Sequence, residues 1–132
     1  MRRLVVGCGV ACVVVLGASG LLAQAGFPYD RDMVLDARAM RGSKRVPVLA
    51  VSPDGRAQID LWCKRGQGQA AIAGDAITIT PGAMVDEPCT PERAQADEEM
   101  IAALAGVTNW SARGDIVTLT GAKPLRFRLA TN

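Results

Sequence analysis

The sequence predicts an α+β fold, a curved antiparallel sheet or partial barrel of short strands with one packed helix, after an N-terminal signal peptide. Short segments of alternating apolar and polar residues are separated by Gly, Pro and Asp, which is typical of strands joined by tight turns. One segment has helical spacing and a capping residue at each end. After the leader, the remaining 107 residues of the 132-residue chain suffice for a single domain.

The first 25 residues have the pattern of a secretory signal peptide. Arg2 and Arg3 form a positive start, and the segment from Leu4 to Leu22 is apolar or small. Ala23-Gln24-Ala25 then fits the small-x-small pattern of a cleavage site. We therefore predict a signal peptide over residues 1–25, which is removed from the exported protein.

The predicted mature domain spans residues 26–132, and two alternatives to cleavage stay open. The uncharged stretch from Leu4 to Tyr29 is long enough to cross a bilayer as an uncleaved anchor. Cys8 and Cys12 each follow a small residue, as a lipidated cysteine does, but both lie inside the apolar run rather than after it. The glycines in this stretch and the cleavage pattern favour cleavage.

The charge balance argues against a nucleic-acid partner. The chain has 15 basic and 13 acidic residues, and removal of Arg2 and Arg3 leaves 13 of each. A mature domain without net charge lacks the electrostatic attraction on which nucleic-acid binding depends. The sequence also contains no histidine, which excludes Ser-His-Asp and Cys-His catalysis and any zinc site with a histidine ligand.

Two cysteines remain after the leader, Cys63 and Cys89. An exported chain folds in an oxidising compartment, so we predict that they form a disulfide. A redox or metal pair is the alternative, but the spacing is not Cys-x-x-Cys and no third ligand of the right type is nearby. We expect no metal and no cofactor.

The first half of the mature chain is predicted to form strands joined by polar turns. Apolar and polar residues alternate on either side of a Ser52-Pro53-Asp54-Gly55 turn, which indicates a β-hairpin. A second hairpin turns at Gly74-Asp75. The predicted strands are Met33–Ala39, Val46–Val51, Ala57–Cys63, Gln69–Ala73 and Ala76–Thr80, and the predicted loops include Lys64–Gly68 and Pro81–Pro88.

One helix is predicted between Thr90, a good N-cap, and Gly106, a C-terminal stop. Pro91 suits the first helical position, and Glu92 places negative charge near the positive end of the helix. One face of this helix carries Ala94, Asp97, Met100, Ile101 and Leu104. We interpret the acidic cluster Asp97-Glu98-Glu99 as a solvated helix face rather than a binding patch.

The C-terminal part is predicted to contain further turn-linked strands, at Val107–Ala112, Ile116–Thr120 and Leu125–Leu129. Arg113-Gly114-Asp115 spells an integrin-binding tripeptide, but it lies where a hairpin turn is needed, so we interpret it as a turn. Similarly, Lys64–Gly68 lacks the full glycine pattern of a phosphate-binding loop.

The order of these features resembles a known family. A strand ends in a cysteine, a glycine-containing loop and a Gly-Asp hairpin follow, and a second cysteine precedes an acidic helix, a tryptophan and another Gly-Asp turn. In this sequence the features are Ile59–Cys63, Ala73–Ile79, Glu87–Cys89, Asp97–Leu104 and Asn109–Leu119. Their order resembles the META domain, the HslJ-like family of bacterial envelope proteins, from about Tyr29 to Leu129. Many members carry Gly-Cys-Asn where this chain has Trp62-Cys63-Lys64.

The resemblance implies a small α+β domain with a curved antiparallel sheet and one helix, linked to envelope stress and in some members to motility or drug tolerance. It implies no catalytic residues. An enzyme without histidine would need a carboxylate pair or a Ser-Lys arrangement, and Ser43-Lys44 is adjacent rather than one helical turn apart. We therefore expect no enzymatic activity.

The predicted function is that of an exported, non-enzymatic envelope domain that binds a protein or a small amphiphile in envelope stress or maintenance. Trp62 and Trp110 are the candidate ligand contacts, and packing in the core is the competing interpretation for both. Inhibition of a secreted or cell-wall hydrolase is the alternative function. The predicted location is periplasmic or secreted, or membrane-tethered if the leader is retained, with no other contact to the membrane.

Overall fold

The computed structural model describes residues 26–131, which form a closed barrel of eight antiparallel strands and one helix. The predicted signal peptide, including Cys8 and Cys12, lies outside the described residues. The strands are β1 (Met33–Leu35), β2 (Val48–Val51), β3 (Arg56–Asp60), β4 (Arg65–Ala73), β5 (Ala76–Val85), β6 (Val107–Arg113), β7 (Ile116–Gly121) and β8 (Leu125–Leu129). The helix, α1, spans Pro91–Ala105 between β5 and β6.

The barrel is closed because its first strand pairs with its last. Met33 lies opposite Leu129, and Leu35 lies opposite Phe127. The predicted curved sheet or partial barrel is thereby corrected to a closed barrel, and the fold is mostly β with a helix. The first strand also ends at Leu35 rather than at Ala39. After Leu35 the chain leaves the sheet in a turn in which the Ala37 N–H donates to the Leu35 carbonyl.

Strands β4 and β5 are longer than predicted. Residues 65–68 begin β4, and residues 81–85 continue β5, although both segments were expected to be loops. Gly68 is needed here because a Cβ at this position would lie 2.5 Å from the Thr80 carbonyl oxygen of β5. Glycine thus permits the two strands to approach closely beside a register shift. Composition alone does not distinguish a glycine-rich strand of this kind from a glycine-rich loop.

The helix has the predicted boundaries. Thr90 has an extended backbone, and its hydroxyl accepts the Arg93 N–H at 3.4 Å. The Gly106 N–H donates to carbonyls of the last turn, which ends the helix. Its buried residues are Asp97, Met100, Ala103 and Leu104.

The core fills the barrel and extends beneath the helix. Strand side chains alternate strictly in β8, where Leu125, Phe127 and Leu129 are buried and the two intervening arginines are exposed. Met100, Ala103 and Leu104 of α1 belong to the same apolar cluster as the barrel interior. The helix therefore packs on the barrel as part of its core.

The alternating strand directions place two kinds of connection at opposite ends of the barrel. One end carries the tight turns, including those at Gly74 and Gly114, whose φ angles of +59° and +60° favour glycine. The Arg113-Gly114-Asp115 segment is the β6–β7 turn, as predicted. The other end, which we call the helix end, carries segments 36–47, 61–64, 86–90 and 122–124 together with both termini of α1.

Candidate functional site

A groove runs between α1 and the β7–β8 turn at the helix end, and we call it the α1 groove. It has two adjoining parts with volumes of about 180 and 290 Å³. The first part is lined by Leu35, Trp62, Ala96, Met100 and Leu125, the second by Ala102, Gly106 and Ala122, and both by Glu99, Ala103 and Lys123. The groove is therefore apolar except for one carboxylate and one ammonium group.

The two charged side chains face each other across the groove. Lys123 Nζ lies 3.9 Å from Glu99 Oε2, and the two side chains are 65% and 56% exposed. An ion pair this exposed contributes little to stability, so each group can exchange its partner at low cost. Glu99 also accepts from the Gln95 amide at 3.4 Å, whereas no second carboxylate lies within 4.0 Å of Lys123 in the described part of the chain.

Asp97 fixes the turn that supplies Trp62 to the groove. Its carboxylate is fully buried and accepts the backbone N–H groups of Trp62, Cys63 and Lys64 at 2.8, 2.9 and 2.8 Å. These donors would otherwise be unpaired inside the protein, where an unsatisfied N–H is costly. The interpretation of Asp97 as part of a solvated helix face is therefore wrong, since this carboxylate joins α1 to the β3–β4 turn.

Two further links hold the same turn against the start of the helix. Cys63 and Cys89 form the predicted disulfide, with their Cα atoms 6.0 Å apart. Lys64 pairs with Glu98 of α1 and lies 3.5 Å from Asp86. The hydrogen bond from Lys64 to Glu98, reinforced by the negative charges of Glu98 and Asp86, raises the pKa of the lysine above 10.5, although desolvation opposes this.

The two tryptophans occupy different places. Trp62 is 8% exposed and lines the α1 groove, so it remains a candidate ligand contact. Trp110 is 4% exposed, packs edge-to-face on Phe27 and donates its indole N–H to the Gly74 carbonyl at 2.8 Å. The packing interpretation accounts for Trp110, and its role as a ligand contact stays a prediction.

Sequence reasoning did not identify the groove residues Lys123 and Glu99 as partners, because nothing in the chain between them indicates that they meet. It did contain a signal for Asp97, the one charged residue on the otherwise apolar helix face with Met100 and Leu104. A charged residue within an apolar stripe is buried only when it has partners, which makes such a position a candidate structural anchor.

Within residues 26–131, no cluster of three or more Cys, Asp or Glu side chains is arranged to hold a metal ion. In the same range, no helix combines the length and the apolar character that a membrane crossing requires.

Comparison with known proteins identifies the family. The sequence pattern of the META domain matches residues 30–132, which is most of the chain. The chain belongs to the META domain family. This confirms the resemblance found in the order of the cysteines, the helix and the Gly-Asp turns. No curated protein matches this META domain.

Two solved structures share the fold of this META domain. One, a protein determined by NMR, is 19% identical with a TM-score of 0.59, and the match covers 75% of this chain and 88% of the other. The second is a crystal structure of a DUF4847 family protein from Bacteroides vulgatus, 14% identical with a TM-score of 0.50. That match covers 62% of this chain and 57% of the other. At these identities the likeness concerns the fold alone.

Proposed function

We propose that this META domain is an exported, non-enzymatic envelope protein that binds a small amphiphile in the α1 groove. The observation that carries the proposal is the combination of an apolar floor, which includes Trp62 and Met100, with a loosely held ion pair at the rim. An amphiphile needs both features, because its chain gains from burial on apolar side chains while its head group needs a polar partner.

The size of the groove favours a small ligand. Its two parts, about 180 and 290 Å³, lie at or below the lower end of the range typical of small-molecule pockets. They adjoin along Ala103, so a short single chain can extend through both. A bulky polycyclic or multi-chain ligand would have to displace α1.

The ion pair favours an anionic head group. An anion that pairs with Lys123 displaces Glu99, and Glu99 then keeps its hydrogen bond from Gln95. A cation that pairs with Glu99 would instead leave Lys123 without a carboxylate within 4.0 Å among residues 26–131. The exchange is therefore less costly for the anion.

Binding is tested by titrating the protein with octanoate, octylamine and octyl glucoside below their micelle-forming concentrations while the tryptophan fluorescence is recorded. These probes share a chain and differ in head-group charge. We expect a saturable change with octanoate, a weaker one with octyl glucoside, and loss of the change in Trp62→Phe but not in Trp110→Phe. No saturable change with any of the three would refute the proposal.

A matched pair of helix variants tests the location. Ala102 is exposed and lines the groove, whereas Ala105 is exposed on the same helix and does not line it. We expect Ala102→Leu to weaken octanoate binding at least fivefold and Ala105→Leu to leave it unchanged. Equal effects of the two substitutions would place the binding elsewhere.

Export is proposed on the Cys63–Cys89 disulfide, which persists in oxidising compartments such as the periplasm. The intact mass of the protein, purified from its own envelope without reductant, tests this. We expect a chain that starts at Gly26 and is two hydrogens lighter than its reduced form. A full-length mass would show that the leader is retained, and reduced cysteines would contradict export.

Inhibition of a cell-wall hydrolase stays the alternative prediction, and titration of a lytic enzyme with the purified protein tests it.

A further inference from the structure

A second polar surface lies on the outer wall of the barrel, across β6, β7 and β8. The strand register aligns Ser111, Thr118 and Arg126 in one outward row, and Arg113, Ile116 and Arg128 in the next. The intervening residues of the same strands, including Val117, Leu119 and Phe127, are buried in the core. The pleat of the sheet therefore projects the arginines and the hydroxyl groups together towards the outside.

Five of these outer-wall residues, together with Ala112, surround a concave region of about 430 Å³. Ile116 and Thr118 of β7, both half-buried, lie at its centre, and Arg113 and Arg126 approach it from the strands on either side. The remaining lining residues are Ser111 and Ala112. Arg113 and Arg126 lie two strands apart and in adjacent rows, which puts their Cα atoms about 12 Å from each other, a gap that two arginine side chains can span from opposite sides.

Carboxylates neutralise only part of this surface. Asp36 lies 3.3 Å from Arg126 and 3.9 Å from Arg128, and Asp115 lies 3.3 Å from Arg128. Arg113, in contrast, has no carboxylate within 4.0 Å among the described residues. Since Asp36 divides its charge between two guanidinium groups, the concave region keeps an excess of positive charge on its β6 side.

We propose that this concave region binds a tetrahedral oxyanion, the phosphate group of a lipid head group or of a soluble phosphate. Guanidinium groups present paired N–H donors that match the oxygen spacing of a phosphate. The hydroxyls of Ser111 and Thr118 supply further donors, and the strands hold all four side chains in fixed register. The half-buried Ile116 at the centre reduces the access of water, which strengthens charge-assisted hydrogen bonds.

A nucleic acid fits this surface less well. The region spans three strands and has no exposed aromatic side chain on which a base could stack. The mature chain also carries no net charge. A single phosphate group matches the number of donors present.

This site is separate from the α1 groove. The groove lies at the helix end, and the two share no lining residue. Either site can fail its test without affecting the other.

The test uses ¹⁵N-labelled protein, expressed as the full chain and purified from the envelope, with NMR amide shifts recorded at constant ionic strength as chloride is replaced by inorganic phosphate. We expect saturable shifts confined to residues 111–118 and 126–128. Arg113→Gln should weaken binding at least fivefold. Arg56→Gln is the matched control, because Arg56 is also an exposed strand arginine but lies on β3.

Thr118→Val tests the hydroxyl, since the two side chains have nearly the same shape. We expect a two- to fivefold loss of phosphate binding with an otherwise unchanged spectrum. Dispersed amide shifts in each variant show that the fold is retained.

A second arm distinguishes the source of the phosphate. Vesicles of phosphatidylcholine with and without phosphatidylglycerol are sedimented with the protein. Cosedimentation that depends on phosphatidylglycerol and on Arg113 assigns the site to a lipid head group, and binding of inorganic phosphate alone assigns it to a soluble phosphate. Either result supports the proposal. Absence of saturable binding in both arms, or equal losses in Arg113→Gln and Arg56→Gln, overturns it.

Discussion

Replacement of Asp97 by Asn is the sharpest test of how the helix is attached to the barrel. The carboxylate uses Oδ1 for the Trp62 N–H and Oδ2 for the N–H groups of Cys63 and Lys64. An asparagine has a single acceptor oxygen, so its NH₂ group must face at least one of these donors. The side chain is fully buried, so water cannot replace the lost bond.

The magnitude follows from these three bonds. One buried N–H left unpaired costs about 1–3 kcal/mol, and each of the two remaining bonds weakens by about 1 kcal/mol when its acceptor loses its charge. Asparagine is neutral, so the variant no longer has the energetic cost of burying a charge, and this offsets part of the loss. We therefore expect Asp97→Asn to lower the free energy of unfolding by about 3 kcal/mol, which for a domain of about 107 residues lowers Tm by about 13 °C.

The assay is urea and thermal unfolding followed by circular dichroism, with the disulfide kept intact in every variant. Glu98→Gln is the control, because it removes the adjacent charge from a side chain that is 60% exposed. We expect Glu98→Gln to lower the free energy of unfolding only by the small amount typical of a surface ion pair. If Asp97→Asn destabilises the protein no more than Glu98→Gln does, the three hydrogen bonds do not anchor the helix, and the reasoning is refuted.

Three further predictions concern stability. Gly68→Ala should lower the free energy of unfolding by about 2 kcal/mol, because the added Cβ would lie 2.5 Å from a backbone oxygen. In Gly106→Ala the nearest backbone oxygen is 3.5 Å from the added Cβ, so the free energy of unfolding in the same urea assay should change by no more than about 0.5 kcal/mol. Replacing Cys63 and Cys89 together by Ser opens a loop with a sequence separation of 26 and should cost about 3.5 kcal/mol in urea unfolding, and a loss below about 1 kcal/mol would contradict the entropic estimate. Because partners raise the pKa of Lys64 in the folded state, its stabilisation is complete below pH 10.5 and declines as the pH rises through that raised pKa. The stability difference between wild type and Lys64→Met should accordingly be constant from pH 7 to about 9 and shrink above 10.5, and a difference that grows there would reverse the argument.

Local signals in the sequence predicted most of the secondary structure. Thr90, Pro91 and Gly106 define the helix, since capping and the fixed φ of proline act within a few residues. Alternation predicted β8 at its observed bounds, and the glycine turns were placed correctly. The cysteine pair was also predicted, because the two cysteines after the predicted leader allow a single intramolecular pairing.

The errors lie where a residue has different uses in different surroundings. The glycines of residues 65–68 belong to a strand because β5 passes close to them, and Pro81 lies within β5 because that part of the strand has a strand neighbour on one side only. Neither feature depends on residues that are neighbours in the sequence. Closure of the barrel was likewise missed, since it depends on β1 meeting β8 about 95 residues later in the chain.

The candidate sites divide in the same way. The sequence by itself determined the family, the helix, the alternating strands, the cysteine pair and the unusual position of Asp97 on an apolar face, because each depends on residue types at short or fixed spacings. Only the tertiary structure decided that Asp97 is an anchor, that Lys123 faces Glu99 across a groove, and that Arg113 and Arg126 share a concave wall. Those relationships arise from strand register and helix packing, which bring distant residues together and which no spacing along the chain specifies.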